Sequence, residues 1–181
     1  MISYSSRGGV DLAPTILDAA GLPNLKGTEG RSFLPLLRSQ PQSGRDCVFT
    51  QIDQVASGTS YPMRAVTDTR YGDIFNAWSD GKTEMRVESM QGLTFPAMRE
   101  AASNDAAIAA RVKHFVYRTK EELYDYGSDP HALHNLADAG QHAERLAKYR
   151  AVLLRHLTES ADPQRPAFEK FLAARSPAAL R

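Results

Sequence analysis

The sequence predicts an α+β fold: a small antiparallel sheet packed by a long C-terminal helix. Three observations carry this reading. Strand-like and helix-like segments do not alternate regularly, which argues against a parallel sheet built from βαβ units. Residues 61–69 and 71–78 read as two strands joined by a tight connection at Thr69-Arg70, so they pair antiparallel. Residues 141–159 place Ala143, Leu146, Leu153, Leu154 and Leu157 along one helical stripe, with Arg145, Lys148, Arg150 and Arg155 left to solvent.

The elements follow in order. Residues 1–9 are polar and glycine-rich and read as a loose lead. Asp11 is suited to cap a helix, and Pro14 falls in its first turn, where a missing N–H costs little. Leu12, Ile16, Leu17 and Ala20 then share one face, and Gly21 and Pro23 end the helix. A polar loop over 24–31 leads to Ser32, which can cap a short helix reaching Arg38. After a linker at 41–44, Val48, Phe49 and Ile52 suggest a buried strand that residues 56–60 break. Residues 79–88 read as a loop, apolar residues surround Pro96, and the alanine-rich stretch 103–112 predicts a helix.

Residues 115–124 read as a strand with basic flanks. Gly127-Ser128-Asp129-Pro130 is a strong turn, because glycine tolerates positive φ, aspartate bonds its own backbone and proline fixes φ. Asn135-Leu136-Ala137 leads into the long helix. Beyond Asp162-Pro163 the prolines predict a tail with at most a short helix around 168–174. There are no internal repeats.

Composition narrows the function classes. A chain of 181 residues with 42% hydrophobic and 24% charged residues is ordinary for a globular protein that buries a core. The formal net charge of +1 gives no general drive toward nucleic acid or a membrane surface. The single cysteine, Cys47, excludes an intrachain disulfide and a cysteine-built zinc site, and in Cys47-Val48-Phe49 it reads as a buried, inert thiol. No stretch approaches the ~20 apolar residues of a membrane span. The first nine residues carry no apolar core suited to an export signal.

The wording of one stretch exceeds what turn chemistry requires. Glu121-Glu122-Leu123-Tyr124-Asp125, then Asp129-Pro130-His131, then Asn135-Leu136-Ala137 closely resembles the C-terminal signature of the sulfatase family. Lys113-His114-Phe115-Val116-Tyr117-Arg118 and Tyr61-Pro62-Met63-Arg64 resemble its heparan N-sulfatase (sulfamidase) branch, and with Val10-Asp11-Leu12-Ala13-Pro14-Thr15 the pieces stand in the family's order. The resemblance covers roughly residues 10–165. It implies a fragment: residues 1–60 as the last helix and strand pieces of a large α/β, alkaline-phosphatase-like catalytic domain, 61–165 as the small C-terminal domain, and 166–181 as a tail. It also implies calcium and a formylglycine nucleophile in the complete enzyme, a sulfated sugar as substrate, and a periplasmic, lysosomal or secreted location. The missing N-terminal catalytic part would be its partner.

Searched for that chemistry, the chain assigns no catalytic and no metal-ligating residue. Cys47 is followed by Val48-Phe49-Thr50, not by the Pro-Ser-Arg context the modified nucleophile needs, and no Asp-Asp pair occurs. Ser79-Asp80-Gly81 reads as a turn. Tyr61 and Arg64 are the substrate-binding candidates implied by the resemblance, since an arginine can clamp a sulfate with two parallel hydrogen bonds, against the plainer reading that Arg64 pairs with a buried carboxylate. Lys113, His114, Arg118 and Lys120 could meet a polyanionic glycan or simply defend a strand edge. His131 and His134 lie near metal-ligand spacing but lack a third ligand, so a structural or solvent-facing role is expected. Asp125 and Asp129 are expected to accept backbone N–H bonds around the turn.

Two functions fit. One is the C-terminal portion of a sulfatase-type hydrolase, completing a substrate pocket and not catalytic alone. The other is a free-standing, non-catalytic glycan-binding or protein-interaction module derived from a sulfatase.

Overall fold

A computed structural model describes residues 8–175. The expected loose lead at 1–7 and the last residues of the expected tail, 176–181, lie outside them. The fold is α+β. In chain order it comprises α1 (Leu12–Ala19), α2 (Leu34–Leu37), β1 (Val48–Gln54), β2 (Ser60–Thr67) and β3 (Tyr71–Asn76). There follow α3 (Thr94–Ala101), α4 (Ala106–Val116), β4 (Glu121–Asp125), α5 (Ala143–Glu159) and α6 (Arg165–Ala174). The four strands form one antiparallel sheet in the order β1-β2-β3-β4.

Register divides the sheet into two faces, because residues directly opposite one another project to the same side. Arg64 opposite Phe75, Val66 opposite Asp73, and Tyr71, Asp73 and Phe75 opposite Asp125, Leu123 and Glu121 make one face. Against it lies α5, burying Leu146, Tyr149, Leu153 and Leu157 at helical spacing with Val66, Tyr71, Phe75 and Leu123. Each such fully buried side chain contributes about 1.5–3 kcal/mol. Tyr149 belongs to the stripe, whereas Ala143 is exposed. Of the cations expected in solvent, Lys148 and Arg155 are exposed, but two are engaged: Arg145 lies 3.7 Å over the Tyr71 ring, and Arg150 forks onto Glu121 at 2.6 and 2.5 Å. The expected tail begins with α6, whose Phe168 is fully buried with its ring 4.8 Å from Phe75.

The other face carries Gly72, Ile74, Glu122 and Tyr124. Over its β3–β4 half lie α3 and α4, with His114 of α4 bonded to Tyr124. Its β1 end is open. The expectation of a buried first strand is therefore corrected: β1 is an edge strand paired only to β2, and Ile52 is 48% exposed. The expected strand over 115–124 is also corrected. Phe115 and Val116 complete α4, which Asp105 starts by accepting the amides of Ala107 and Ile108 at 2.8 and 3.1 Å, and the strand begins at Glu121. Lys113 and His114 thus sit on a helix.

The signature stretch now has a physical account. Asp125 and Asp129 accept backbone amides of Gly127, Leu133 and His134 at 2.8–3.0 Å, as expected. Asn135 then closes the free edge of β4: its Oδ1 accepts from the Leu123 amide at 2.9 Å and its Nδ2 donates to the Glu121 carbonyl at 3.0 Å, while the Leu136 amide reaches the Leu123 carbonyl at 2.8 Å. The backbone groups of an edge strand that would otherwise template another chain are satisfied internally.

Upstream, Asp11 precedes α1 but does not cap it. Its carboxylate accepts from the Arg31 amide at 2.8 Å and from the buried Arg45 guanidinium at 2.7 Å, tying two distant loops together. Burial acts to raise its pKa, but those bonds outweigh it and hold the group below the usual carboxylate range. Gly30 is required here, since a methyl group would approach the Val10 carbonyl oxygen to 2.0 Å.

Candidate functional site

Arg64, expected to contact substrate, lies on the α5 face of β2 with its side chain 3% exposed. Its Nε donates to Asp162 Oδ2 at 2.7 Å and one terminal nitrogen to Asp53 Oδ1 at 2.8 Å, while the other reaches the carbonyls of Met63 and Ile52 at 2.9 and 3.2 Å. Burial opposes its charge, but the bonds to Asp162 and Asp53 outweigh it and raise its pKa. This guanidinium ties the β1–β2 ribbon to the turn after α5. Sequence reasoning anticipated a buried carboxylate partner without naming Asp162, which stands 98 residues away. The Tyr61 hydroxyl donates to the Glu84 carbonyl at 3.2 Å and accepts from the Arg86 amide at 3.0 Å, and its ring meets Trp78 edge-on at 4.8 Å. Tyr61 thereby pins the loop that walls a cleft of about 950 Å³ of mixed charge, bounded by that loop, α3 and Tyr117. Arg64 does not line this cleft.

A second cleft, of about 520 Å³, lies between the open-face half of the sheet and the α3–α4 pair. Ile74 of β3 and Tyr124 of β4 line it from the sheet; Phe95 and Met98 come from α3, and Arg111, His114, Phe115 and Arg118 from α4 and the residues after it. Tyr126 and His131 line it from the turn. Gly72 lets the Tyr126 ring lie on the strand, since a methyl group there would meet that ring at 2.8 Å.

Beneath this cleft is a polar network around the fully buried Glu122. Its carboxyl accepts from Asn76 Nδ2 at 2.9 Å, from the Tyr124 hydroxyl at 2.8 Å and from the Arg118 guanidinium. The Tyr124 hydroxyl also meets His114 Nε2 at 2.9 Å. Burial first, and the Arg118 charge second, push the His114 pKa down, so the imidazole is neutral at neutral pH. Burial and then the Glu122 charge push the Tyr124 phenol up. At this cleft Arg111 makes no hydrogen bond or ion pair among the described residues, and Arg118, though paired with Glu122, keeps a buried Nε without an acceptor. Of these residues the sequence pointed to His114 and Arg118; it missed Arg111 and Tyr126, which only the turn and the helix bring together. Lys120 instead turns to the carbonyls of Ala77 and Ser79, at 2.7 and 3.2 Å.

Among the described residues no group of three or more His, Cys, Asp or Glu side chains is arranged to hold a metal ion. His134 faces Asp129 at 3.4 Å, and His131 is exposed at the second cleft. Burial, then the Asp46 charge, raise the pKa of the Cys47 thiol, the opposite of an activated nucleophile. Ser79 and Asp80 are turn residues, with Asp80 accepting the amides of Lys82 and Thr83 at 2.8 and 2.7 Å. No helix is long and apolar enough to cross a membrane among the described residues.

No protein-family model matches the chain. Among curated proteins, human N-sulphoglucosamine sulphohydrolase is 30% identical over 165 residues, which is 85% of this chain and 32% of that protein. The chain corresponds to the C-terminal part of a sulfatase. An ulvan-active sulfatase of Formosa agariphila is 29% identical over 129 residues, covering 70% of this chain and 24% of that one. The fold likewise matches a solved 2-O GAG sulfatase with a TM-score of 0.56 at 24% identity, over 86% of this chain and 26% of that chain. The chain therefore spans about a quarter to a third of the length of these relatives.

Proposed function

We propose that this chain is the C-terminal portion of a sulfatase-type hydrolase that cleaves sulfuric esters or N-sulfates on sulfated sugars, with N-sulfoglucosamine as its substrate unit. It completes the substrate pocket and is not catalytic alone. In this reading residues 1–60 are the end of the large catalytic domain, 61–165 the small domain and 166–181 its tail, with β1 joining the small domain's sheet across the first boundary. Calcium and the formylglycine nucleophile belong to the catalytic part outside this chain, and the enzyme works in a periplasmic, lysosomal or secreted setting.

The observation that carries the proposal is the signature stretch itself, a strand, an Asp-braced turn and the Asn135 bracket that seals the strand's edge, in a chain 30% identical to human N-sulphoglucosamine sulphohydrolase over 85% of its length. Tyr61 and Arg64 enter it as residues that shape the pocket wall and the junction behind it. Their internal hydrogen bonds support that role more than direct contact with sugar.

The test is turnover. Purified 1–181 should leave a chromogenic sulfate ester and N-sulfoglucosamine untouched, because covalent and metal catalysis together supply the rate. The chain joined in frame to a sulfatase catalytic part encoded upstream of it should hydrolyse them. Chelator-sensitive turnover by 1–181 alone, or an inactive joined protein that folds, would refute the proposal.

A further inference from the structure

The 520 Å³ cleft between the sheet and the α3–α4 pair has a composition that structural packing does not require. It falls within the ordinary range of small-molecule sites, about 300–1,000 Å³. Its apolar surface is largely aromatic, with Phe95 and Phe115 at 5.6 Å and Tyr124 and Tyr126 stacked at 6.3 Å. No carboxyl lines it among the described residues, and Glu122 beneath it already accepts from three donors inside the protein. The positive groups are not consumed in the same way. Arg111 has no partner among the described residues, and Arg118 retains a buried Nε without an acceptor. A site with surplus cationic donors above flat apolar rings calls for a ligand with an anionic group on a ring that has an apolar face.

We propose that this cleft binds an anionic pyranose, its sulfate or carboxylate held by Arg111 and Arg118 and its C–H face laid on Tyr126 and Phe115. The choice of a sugar over other anionic rings rests on the sulfatase reading; the anion site does not. The strongest single sign is Arg111, a cation lining the cleft that makes no hydrogen bond or ion pair among the described residues, so that its donors are free for an anion. The position is pre-organised: Glu122 fixes the Arg118 guanidinium, and Gly72 allows Tyr126 to lie flat beside it. The cleft is apart from Arg64 and Asp162, which face α5 on the opposite side of the sheet.

The test is a binding titration on the intact chain, followed by calorimetry and by amide resonances of Ile74, Phe115 and Tyr126. The probes are glucosamine 6-sulfate, glucuronate, neutral glucosamine and inorganic sulfate. Glucosamine 6-sulfate, glucuronate or both should bind and move those resonances, more tightly than neutral glucosamine or inorganic sulfate. Arg111→Gln should weaken that binding about tenfold, the scale of one charged hydrogen bond. Arg111 bonds to nothing among the described residues, so its loss should leave the melting temperature unchanged. Lys113→Gln removes the same charge from α4 outside the cleft and should have no effect. The proposal is overturned if neither anionic sugar binds at millimolar concentration, if inorganic sulfate or glucosamine binds equally well, if Arg111→Gln has no effect, or if Lys113→Gln costs as much. Since nothing here is hydrolysed, failure of this test leaves the sulfatase reading standing, and an inactive joined enzyme leaves the binding result standing.

Discussion

Asp73 is the residue with the least support from its surroundings. It is fully buried on the α5 face, neither carboxyl oxygen has a hydrogen-bond partner, and Arg150, whose charge acts on it, is committed to Glu121. Burial, and then the Glu121 charge, push its pKa well above the usual carboxylate range. A folded pKa above the unfolded one means that the folded state holds the extra proton, so stability is full below about pH 4 and falls as pH rises through the folded value. Asp73→Asn, a neutral isostere, should match the wild type at pH 4 and melt at a higher temperature at pH 7–8. Parallel Tm curves across that range would show Asp73 to be ionised in the fold. Arg64 makes the opposite case, a buried charge fully paired. Arg64→Lys cannot hold Asp162, Asp53 and two carbonyls at once, and should cost about 1–3 kcal/mol of stability. In the joined enzyme it should leave KM unchanged; a raised KM with an unchanged Tm would return Arg64 to the substrate. The amide bonds of Asp125 and Asp129 were legible in the sequence because they are local, whereas the Arg70 fork onto Asp125 at 2.8 and 2.7 Å was not. Nor were the roles of Asp73, Arg64 and Asn135, because their environments are set by residues far along the chain.

At the scale of elements, α5 carries the core. Leu153 is fully buried at the centre of its stripe, against Val66 and Leu123 of the sheet among others. Leu153→Ala should cost about 2–5 kcal/mol in chemical denaturation, and a loss below about 1 kcal/mol would mean that the helix is not docked as described. The helix was readable from its 3.6-residue period, and the pair of β2 and β3 from a connection in which Asp68 Oδ1 accepts the amides of Arg70 and Tyr71, both at 2.7 Å. The end of α4 was not readable. Phe115-Val116-Tyr117 looks like a strand by composition, but Phe115 packs on Phe95 of α3, and tertiary contact overrides the local preference. Likewise β1 was taken as buried from Val48, Phe49 and Ile52, whereas only its α5 side finds a partner, with the Phe49 ring stacked on His156 at 3.7 Å.

The whole molecule is uneven in how it buries apolar surface. The sheet with α5 and α6 makes one contiguous core, while the segment before it turns its apolar side chains outward: Leu12 is 55% exposed, Ile16 59% and Leu37 61%. Its own ties are polar, through Asp11, Arg31 and Arg45. An apolar helix face with nothing against it is a surface built to pack on another element, and in the sulfatase reading that element is the catalytic domain. The sequence placed these faces correctly as apolar stripes, but a stripe does not say whether its partner lies within the chain. On this reading the sheet and α5 form a self-sufficient body carrying a segment made for a partner outside it. Native-state hydrogen exchange on 1–181 measures this directly. Amides of α1 and α2 should exchange through low-energy local openings, orders of magnitude faster than those of β3, β4 and α5, which should open only with global unfolding. Equal protection of both regions in the isolated chain would contradict the claim.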